Sequence, residues 1–419
     1  GPRTAAASAP IAAKITTMHE PLRDAFLLDP GLVFLNHGSF GACPREVFDA
    51  YQRWQRELER NPVEFLGRRS ASLLHDARRA LAGHLGAAAD DLVFVTNATQ
   101  GVNIVAQSLD LRPGDEVLAG DHEYGACDAA WQFFCRQRGA TYRRLEVPLP
   151  FDAAGWADRL LAAATPRTRL VFASHVSSTT ALVFPVAELC AKARARGLPT
   201  LIDGAHAPGQ LDLDLAAVGA DVYTGNCHKW LGAPKGAAFL HARPAWQARL
   251  DATVVSWGYL AEGAGGGAAG GHTGFDAYTG RTTLERRLQW QGTRDIAAFL
   301  AVPAAIDFQR LHDWPARRQR SHAMAMDLQR RVLARNGLAP IGRDAGYAQD
   351  FAQMVAIPVR LPEAPDAAEA LRRRLFEHHR IEVPVTRHGG RSFVRVSVQA
   401  YNEETDLAAL EGALAEVGV

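Results

Sequence analysis

Between about residues 90 and 240, short β-branched and aliphatic runs alternate with longer stretches whose apolar positions recur at helical spacing. The short runs fall at 92–96, 116–119, 170–174, 200–203 and 222–224. Helical stretches lie between them at 100–109, 126–138, 155–164 and 186–196. Strand, helix, strand at this rhythm predicts a mostly parallel sheet covered on both faces. In such a sheet, polar residues gather at the carboxyl ends of the strands, where ligands bind. Residues 45–60 and 68–85 read as helices ahead of the sheet, and 263–274 is glycine-rich enough to be a flexible loop. After about residue 295 the pattern changes to a helical section over 295–335. Strands near 354–359 and 393–398 then flank a helix at 366–379, and a helix over 403–417 closes the chain. The division this predicts is a flexible tail over 1–22, a large domain over 23–295 and a small C-terminal α+β domain over 296–419. There is no internal repeat.

Charge and cysteine usage narrow the function classes. Against 46 basic residues stand 45 acidic ones, a net charge of +1, which removes the simplest argument for a nucleic-acid or membrane-surface partner. No uninterrupted apolar run of about 18 residues is present that would span a bilayer. The five cysteines, Cys43, Cys127, Cys135, Cys190 and Cys227, are scattered and never form a Cys-x-x-Cys pair. Neither a disulfide framework nor a metal site is expected from them. Gly1-Pro2 resembles a protease-cleavage scar, and 3–14 is an Ala-rich tract without periodicity. The cytoplasm is the default location, with the question of a removed targeting peptide left open.

Three segments carry candidate chemistry. Lysine is scarce: only Lys14, Lys192, Lys229 and Lys235 occur among the 46 basic residues. One of them sits in Thr224-Gly225-Asn226-Cys227-His228-Lys229-Trp230-Leu231-Gly232. A chain that uses arginine almost everywhere else and keeps a lysine here points to a need for a primary amine, because a guanidinium forms no imine. A surface lysine is the bland alternative. The second segment, Leu201-Ile202-Asp203-Gly204-Ala205-His206, ends a strand in an acid suited to holding a pyridinium nitrogen protonated, or simply to capping a helix. Asp203 and Lys229 are 26 residues apart, enough for one crossover and one more strand, so both reach the same rim. The third, Thr96-Asn97-Ala98-Thr99-Gln100-Gly101, joins a strand end to a helix start, where free amides and the Thr99 hydroxyl form a phosphate site or an ordinary cap. The Walker pattern is absent, and no Gly-x-Gly-x-x-Gly follows an early strand.

Together these segments resemble class V of the aminotransferases, which includes the cysteine desulfurases and the isopenicillin N epimerase-like group. The epimerase-like subgroup matches best, through Phe34-Leu35-Asn36-His37-Gly38-Ser39-Phe40-Gly41, Asp203-Gly204-Ala205-His206, His228-Lys229-Trp230-Leu231 and Gln291-Gly292-Thr293-Arg294-Asp295. The resemblance implies an α/β fold, the PLP-dependent transferase fold type I, with pyridoxal 5'-phosphate held as a Schiff base on Lys229. It further implies that Ala98, Thr99, Asn226 and His228 hold the phosphate, and that Tyr124 stacks on the ring where desulfurases carry histidine. Ser178 and His206 would stand where the family often has asparagine and glutamine, and Asp203 would pair with the ring nitrogen. Thr293 would reach the phosphate of a neighbouring subunit, which implies a homodimer with shared sites. Arg395 would receive the substrate carboxylate, with Asn36 and His37 also at the substrate.

The reaction implied begins with α-proton removal by Lys229 from a small amino-acid-type substrate. It ends in epimerisation, in carbon-sulfur elimination assisted by Tyr124, or in transamination. A cysteine desulfurase is disfavoured, because Val385-Thr386-Arg387-His388-Gly389-Gly390-Arg391-Ser392 lacks the mobile cysteine. A non-catalytic binding protein of the same fold is the alternative from another class, and the presence of Lys229, Asp203 and the phosphate loop argues against it. The loop over 263–274, with His272, Phe275 and Tyr278 nearby, is expected to line the entrance.

Overall fold

The computed structural model of the chain describes residues 21–259, 277–343 and 346–419. The N-terminal tail through residue 20 and the glycine-rich loop with His272 and Phe275 lie outside the described residues. In chain order the strands are β1 (Val33–Phe34), β2 (Leu92–Val95), β3 (Glu116–Gly120), β4 (Thr141–Leu145), β5 (Thr168–Ser174) and β6 (Thr200–Asp203). They continue with β7 (Val222–Asn226), β8 (Ala238–Ala242), β9 (Met354–Val359), β10 (Ile381–Glu382), β11 (Val385–His388) and β12 (Arg391–Ser397).

The central sheet runs β2-β8-β7-β6-β5-β3-β4. Every neighbouring pair is parallel except those of β8, which is antiparallel to both β2 and β7. Alternation along the strands sends side chains to two apolar layers. Val93, Val95, Leu170, Phe172 and Leu201 join the layer under the helices Ala98–Ser108 and Gly125–Gln137. Phe94, Val171, Ala173 and Ile202 enter the other, larger core. Both faces are therefore apolar, and buried parallel strands read as nearly continuous hydrophobic runs for that reason.

Two strands of the central sheet were absent from the sequence expectation, as were β1, β10 and β11 outside it. β4, Thr-Tyr-Arg-Arg-Leu, is a sheet edge whose Arg143 and Arg144 pair with Glu116 and Asp128, so it reads as polar. β8 is a five-residue, fully buried run that follows the Lys229 segment without an intervening helix. The single helical section expected over 295–335 is three helices, Ala297–Leu300, Val302–Leu311 and Trp314–Asn336. Asp313, at φ 48°, breaks the last two, and Pro315 follows in the first turn of the new helix. The C-terminal sheet is antiparallel, β11-β12-β9. The parallel pair β1–β10 brings the N-terminal segment against it. Among the described residues no helix is long and apolar enough to cross a membrane.

Candidate active site

The polar strand ends converge on one cavity of about 600 Å³ at the carboxyl rim of the sheet. β2 and its helix supply Ala98 and Thr99, the turn after β3 supplies Tyr124, and the turn after β5 supplies Ser178. β6 ends in Asp203, with His206 beyond it; β7 ends in Asn226 and leads to His228 and Lys229. The Lys229 segment is fixed from behind by Gly41, at φ 71°. A Cβ there would overlap the His228 carbonyl and come within 2.8 Å of Lys229 Cα.

Lys229 is half-buried and lines the cavity. Burial, and then the Arg395 charge, draws its ammonium from the ordinary 10.5 down to about 8, with Asp203 opposing. Its Nζ lies 3.4 Å from His206 Nε2, and His206 Nδ1 accepts from Trp230 Nε1–H at 3.4 Å. With Nδ1 accepting, the neutral ring carries its proton on Nε2, where it faces the lone pair of an uncharged Lys229 amine. Asp203 is also buried, and burial pushes its carboxyl up from the ordinary value. Backbone N–H of Ala205 (2.9 Å) and the Cys127 thiol (3.4 Å) donate to it. Below it, burial holds the Glu123 carboxyl well above its usual range, and Ser174 Oγ lies 2.6 Å away.

At the other end the amide pattern differs from the expectation. Ala98 N–H donates to Asn226 Oδ1 (2.8 Å), and Gln100 N–H to Asn97 Oδ1 (2.8 Å). Two of the expected free amides are thus occupied, one by Asn226 itself, and the amide and hydroxyl of Thr99 remain for an anion. Beside them His228 Nδ1 is buried with no hydrogen-bond partner. Lys235, exposed at the surface, also lines the cavity. A buried orphan nitrogen, a free helix-start amide and a lysine at one end, an acid at the other and an amine between them fit the phosphate, ring nitrogen and aldehyde of PLP.

Arg395, in β12, is buried behind Ser39 and Ser178, both of which line the cavity. It donates to the Ser178 carbonyl, to Ser178 Oγ at 3.2 Å, to Ser39 Oγ at 2.9 Å and to Asn36 Oδ1 at 3.5 Å, while its Nε has no partner. Asn36 therefore acts on the guanidinium rather than on the cavity. His37 does not line the cavity either: its Nε2 lies 3.0 Å from the Lys229 carbonyl and its Nδ1 3.0 Å from Tyr401 Oη, a clamp on the lysine's backbone. Tyr124 is 45% exposed at the mouth, near the still more exposed Phe40. Thr293 is exposed and does not reach the cavity of its own chain. Tyr278 lies against Trp290, outside the cavity. Sequence reasoning gave no role to Ser39, Cys127, Glu123 or Lys235. Lys235 carried the same signal as Lys229, a lysine kept in an arginine-rich chain.

This parallel sheet with a cavity at its carboxyl rim is the fold type I architecture of PLP enzymes, and residues 33–410 match the family described as Aminotransferase class-V. The chain belongs to that family and is a PLP-dependent enzyme acting on an amino-acid-derived substrate. It is 43% identical over 398 residues to isopenicillin N epimerase of Streptomyces clavuligerus, covering 94% of this chain and 97% of that protein. It is 31% identical over 426 residues to a putative L-cysteine desulfhydrase of Oryza sativa, covering 92% and 83%. Among solved structures, a lysine-to-alanine mutant of C-DES with glycine covalently linked to its PLP cofactor superimposes with a TM-score of 0.76. That match has 25% identity and covers 95% of this chain and all of that one.

Proposed function

We propose that the enzyme inverts the α-carbon of an amino acid or of an amino-acid-derived side chain, as an isopenicillin N epimerase-like enzyme. The observation that carries this is one half-buried lysine of lowered pKa placed between a buried carboxylate and a buried guanidinium at a single cavity, together with the identity to the epimerase. PLP, when bound, supplies an electron sink for the pair left at the α-carbon. Lys229 would hold the cofactor and, as a free amine, would take the α-proton. Asp203 holds the ring nitrogen's proton, and its burial away from water makes that pairing strong. Arg395 orients the substrate carboxylate by a two-point contact, with Ser39, Ser178 and Asn36 holding the guanidinium in plane. Thr99, Asn226, His228 and Ala98 form the phosphate end. Tyr124, at the cavity mouth, would stack on the ring and would supply a hydroxyl as the second proton donor. On this assignment the catalytic body is 23–295, and 296–419 carries the carboxylate site.

Incubation in deuterated water with a panel of amino acids, cysteine conjugates and peptidyl β-lactams tests the reaction. Inversion with one deuterium at the α-carbon is expected. Pyruvate and ammonia without inversion would replace the proposal with the lyase reading, which the desulfhydrase relative supports. A persulfide route has no nucleophile here, because the β11–β12 turn is Gly389-Gly390, and burial raises the thiols of Cys43, Cys127, Cys190 and Cys227 above their usual range.

The lowered Lys229 pKa has a sign that is open to measurement. Only the unprotonated amine captures the cofactor, so capture by apoprotein is expected to quicken about tenfold per pH unit below about 8 and to level above it. A rate that stays flat from pH 6 to 8 would remove Lys229 as the capturing amine.

The second subunit enters through Thr293. We place its side chain at the partner's phosphate, in a homodimer with shared sites. Lys229→Ala and Thr293→Asp chains, each inactive alone, should regain activity when mixed, because one site of each hybrid has both residues intact. Hybrids shown to form yet still inactive would rule out the shared site.

A further inference from the structure

Outside the cavity, the turn after β3 meets the hairpin β11–β12 at a cluster of Asp121, His122 and His388, whose ligand atoms all lie within 4.8 Å of one another. His388 Nε2 is 3.6 Å from Asp121 Oδ2, and His122 Nε2 is 3.8 Å from Asp121 Oδ1. Both distances are too long for hydrogen bonds. They are close to the separation of two donors sharing a metal at about 2.0–2.1 Å, and each of these two pairs needs a contraction of about 0.2–0.5 Å to reach a tetrahedral angle. Among the described residues the two imidazoles are the only basic side chains within 4 Å of the Asp121 carboxylate, since nearby Arg144 pairs with Asp128.

We propose that Asp121, His122 and His388 bind a borderline divalent cation of the zinc class, joining the β3 turn to the β11–β12 hairpin. Two imidazoles and one carboxylate favour zinc, cobalt or nickel over magnesium or calcium, which take all-oxygen sets. The position of His122 already contains the supporting contact such a ligand needs. Its Nδ1 lies 2.9 Å from Thr180 Oγ1, whereas its Nε2, the ligand atom, lies 3.0 Å from the Val147 carbonyl and gives up that contact on binding. On binding, the ring exchanges tautomers: the Nε2 proton leaves, a proton is taken at Nδ1 and donated to Thr180, and the Nε2 lone pair turns to the metal. No net proton is released by His122. Asp121 is steadied by the Val147 N–H, 2.9 Å from its Oδ1. A pocket of about 570 Å³, lined by Asp121, His388 and Glu146, opens beside the cluster and admits the ion with its completing water.

The two rings stand 3.9 Å apart at their centroids, which disfavours protonating both. Facing them are Asp121, Glu146 and Arg144, with Arg391 at the pocket edge.

Full-length holoenzyme, treated with chelator and dialysed, would be titrated with zinc chloride by calorimetry and with cobalt chloride by visible absorption. One equivalent per chain with a micromolar or tighter Kd is expected, with cobalt bands of a tetrahedral site and no competition by magnesium. His388→Gln and Asp121→Asn should each weaken binding at least about tenfold, and Thr180→Val by about tenfold through the supporting contact. His388 is on the hairpin, so His388→Gln keeps the test decisive should Asp121→Asn fold poorly. Absence of saturable binding, or an isotherm unchanged in His388→Gln, would overturn the proposal.

Discussion

Lys229→Ala is expected to fold as the wild type does, but to lose turnover and α-proton exchange by about 10³-fold or more, measured by deuterium incorporation and product formation. The loss should be this large because one group serves two roles, holding the cofactor and moving the α-proton. The other lysine at the cavity, Lys235, lies at the phosphate end, and His206 Nε2 faces Lys229 rather than the substrate side. The change removes a half-buried amine of lowered pKa, so the folded protein should be no less stable. Activity within about tenfold of wild type would mean that another base works in this cavity.

Arg395→Ala is expected to lower kcat/KM by about 10²–10³-fold, with most of the effect on KM. Two charge-assisted hydrogen bonds to a carboxylate together contribute about 3–4 kcal/mol, and each 1.4 kcal/mol is about tenfold. Arg395→Lys should recover only part of this, since an ammonium offers a point charge in place of a planar fork. Burial lowers the guanidinium to about 10, so it remains charged at neutral pH, and its unpartnered Nε is one buried donor available to a ligand. A substrate amide or ester should bind the wild type weakly and be nearly indifferent to the substitution. Steady-state kinetics on the acid and its amide separate these outcomes, and an equal loss on both would assign Arg395 to holding Ser39 and Ser178 alone.

Much of this was legible because burial on both faces writes itself into sequence. The strands ending at Val95, Ser174 and Asp203 carry the apolar runs 92–95, 170–173 and 201–202, and the structure ends each strand near the cavity rim. β4 escaped because an edge strand carries arginines, and β8 because an Ala-rich strand beside the Lys229 turn has no helix to announce it. The site was legible in residue types but not in hydrogen-bond partners. Sequence placed Asn226 and the Ala98 amide side by side at the phosphate, whereas their 2.8 Å bond joins them to each other. His37 belonged to a convincing motif, yet its ring clamps the Lys229 carbonyl; which side of a segment faces the cavity depends on a turn that no local pattern records.

The most direct test of the account is a peptide map of the holoenzyme after borohydride reduction. The chain has four lysines, Lys14, Lys192, Lys229 and Lys235, so the map has few places to look. The account predicts a pyridoxyl mass on the peptide containing Lys229 and none on the other three. A label on Lys235, or holoenzyme that releases all its cofactor after reduction, would contradict it.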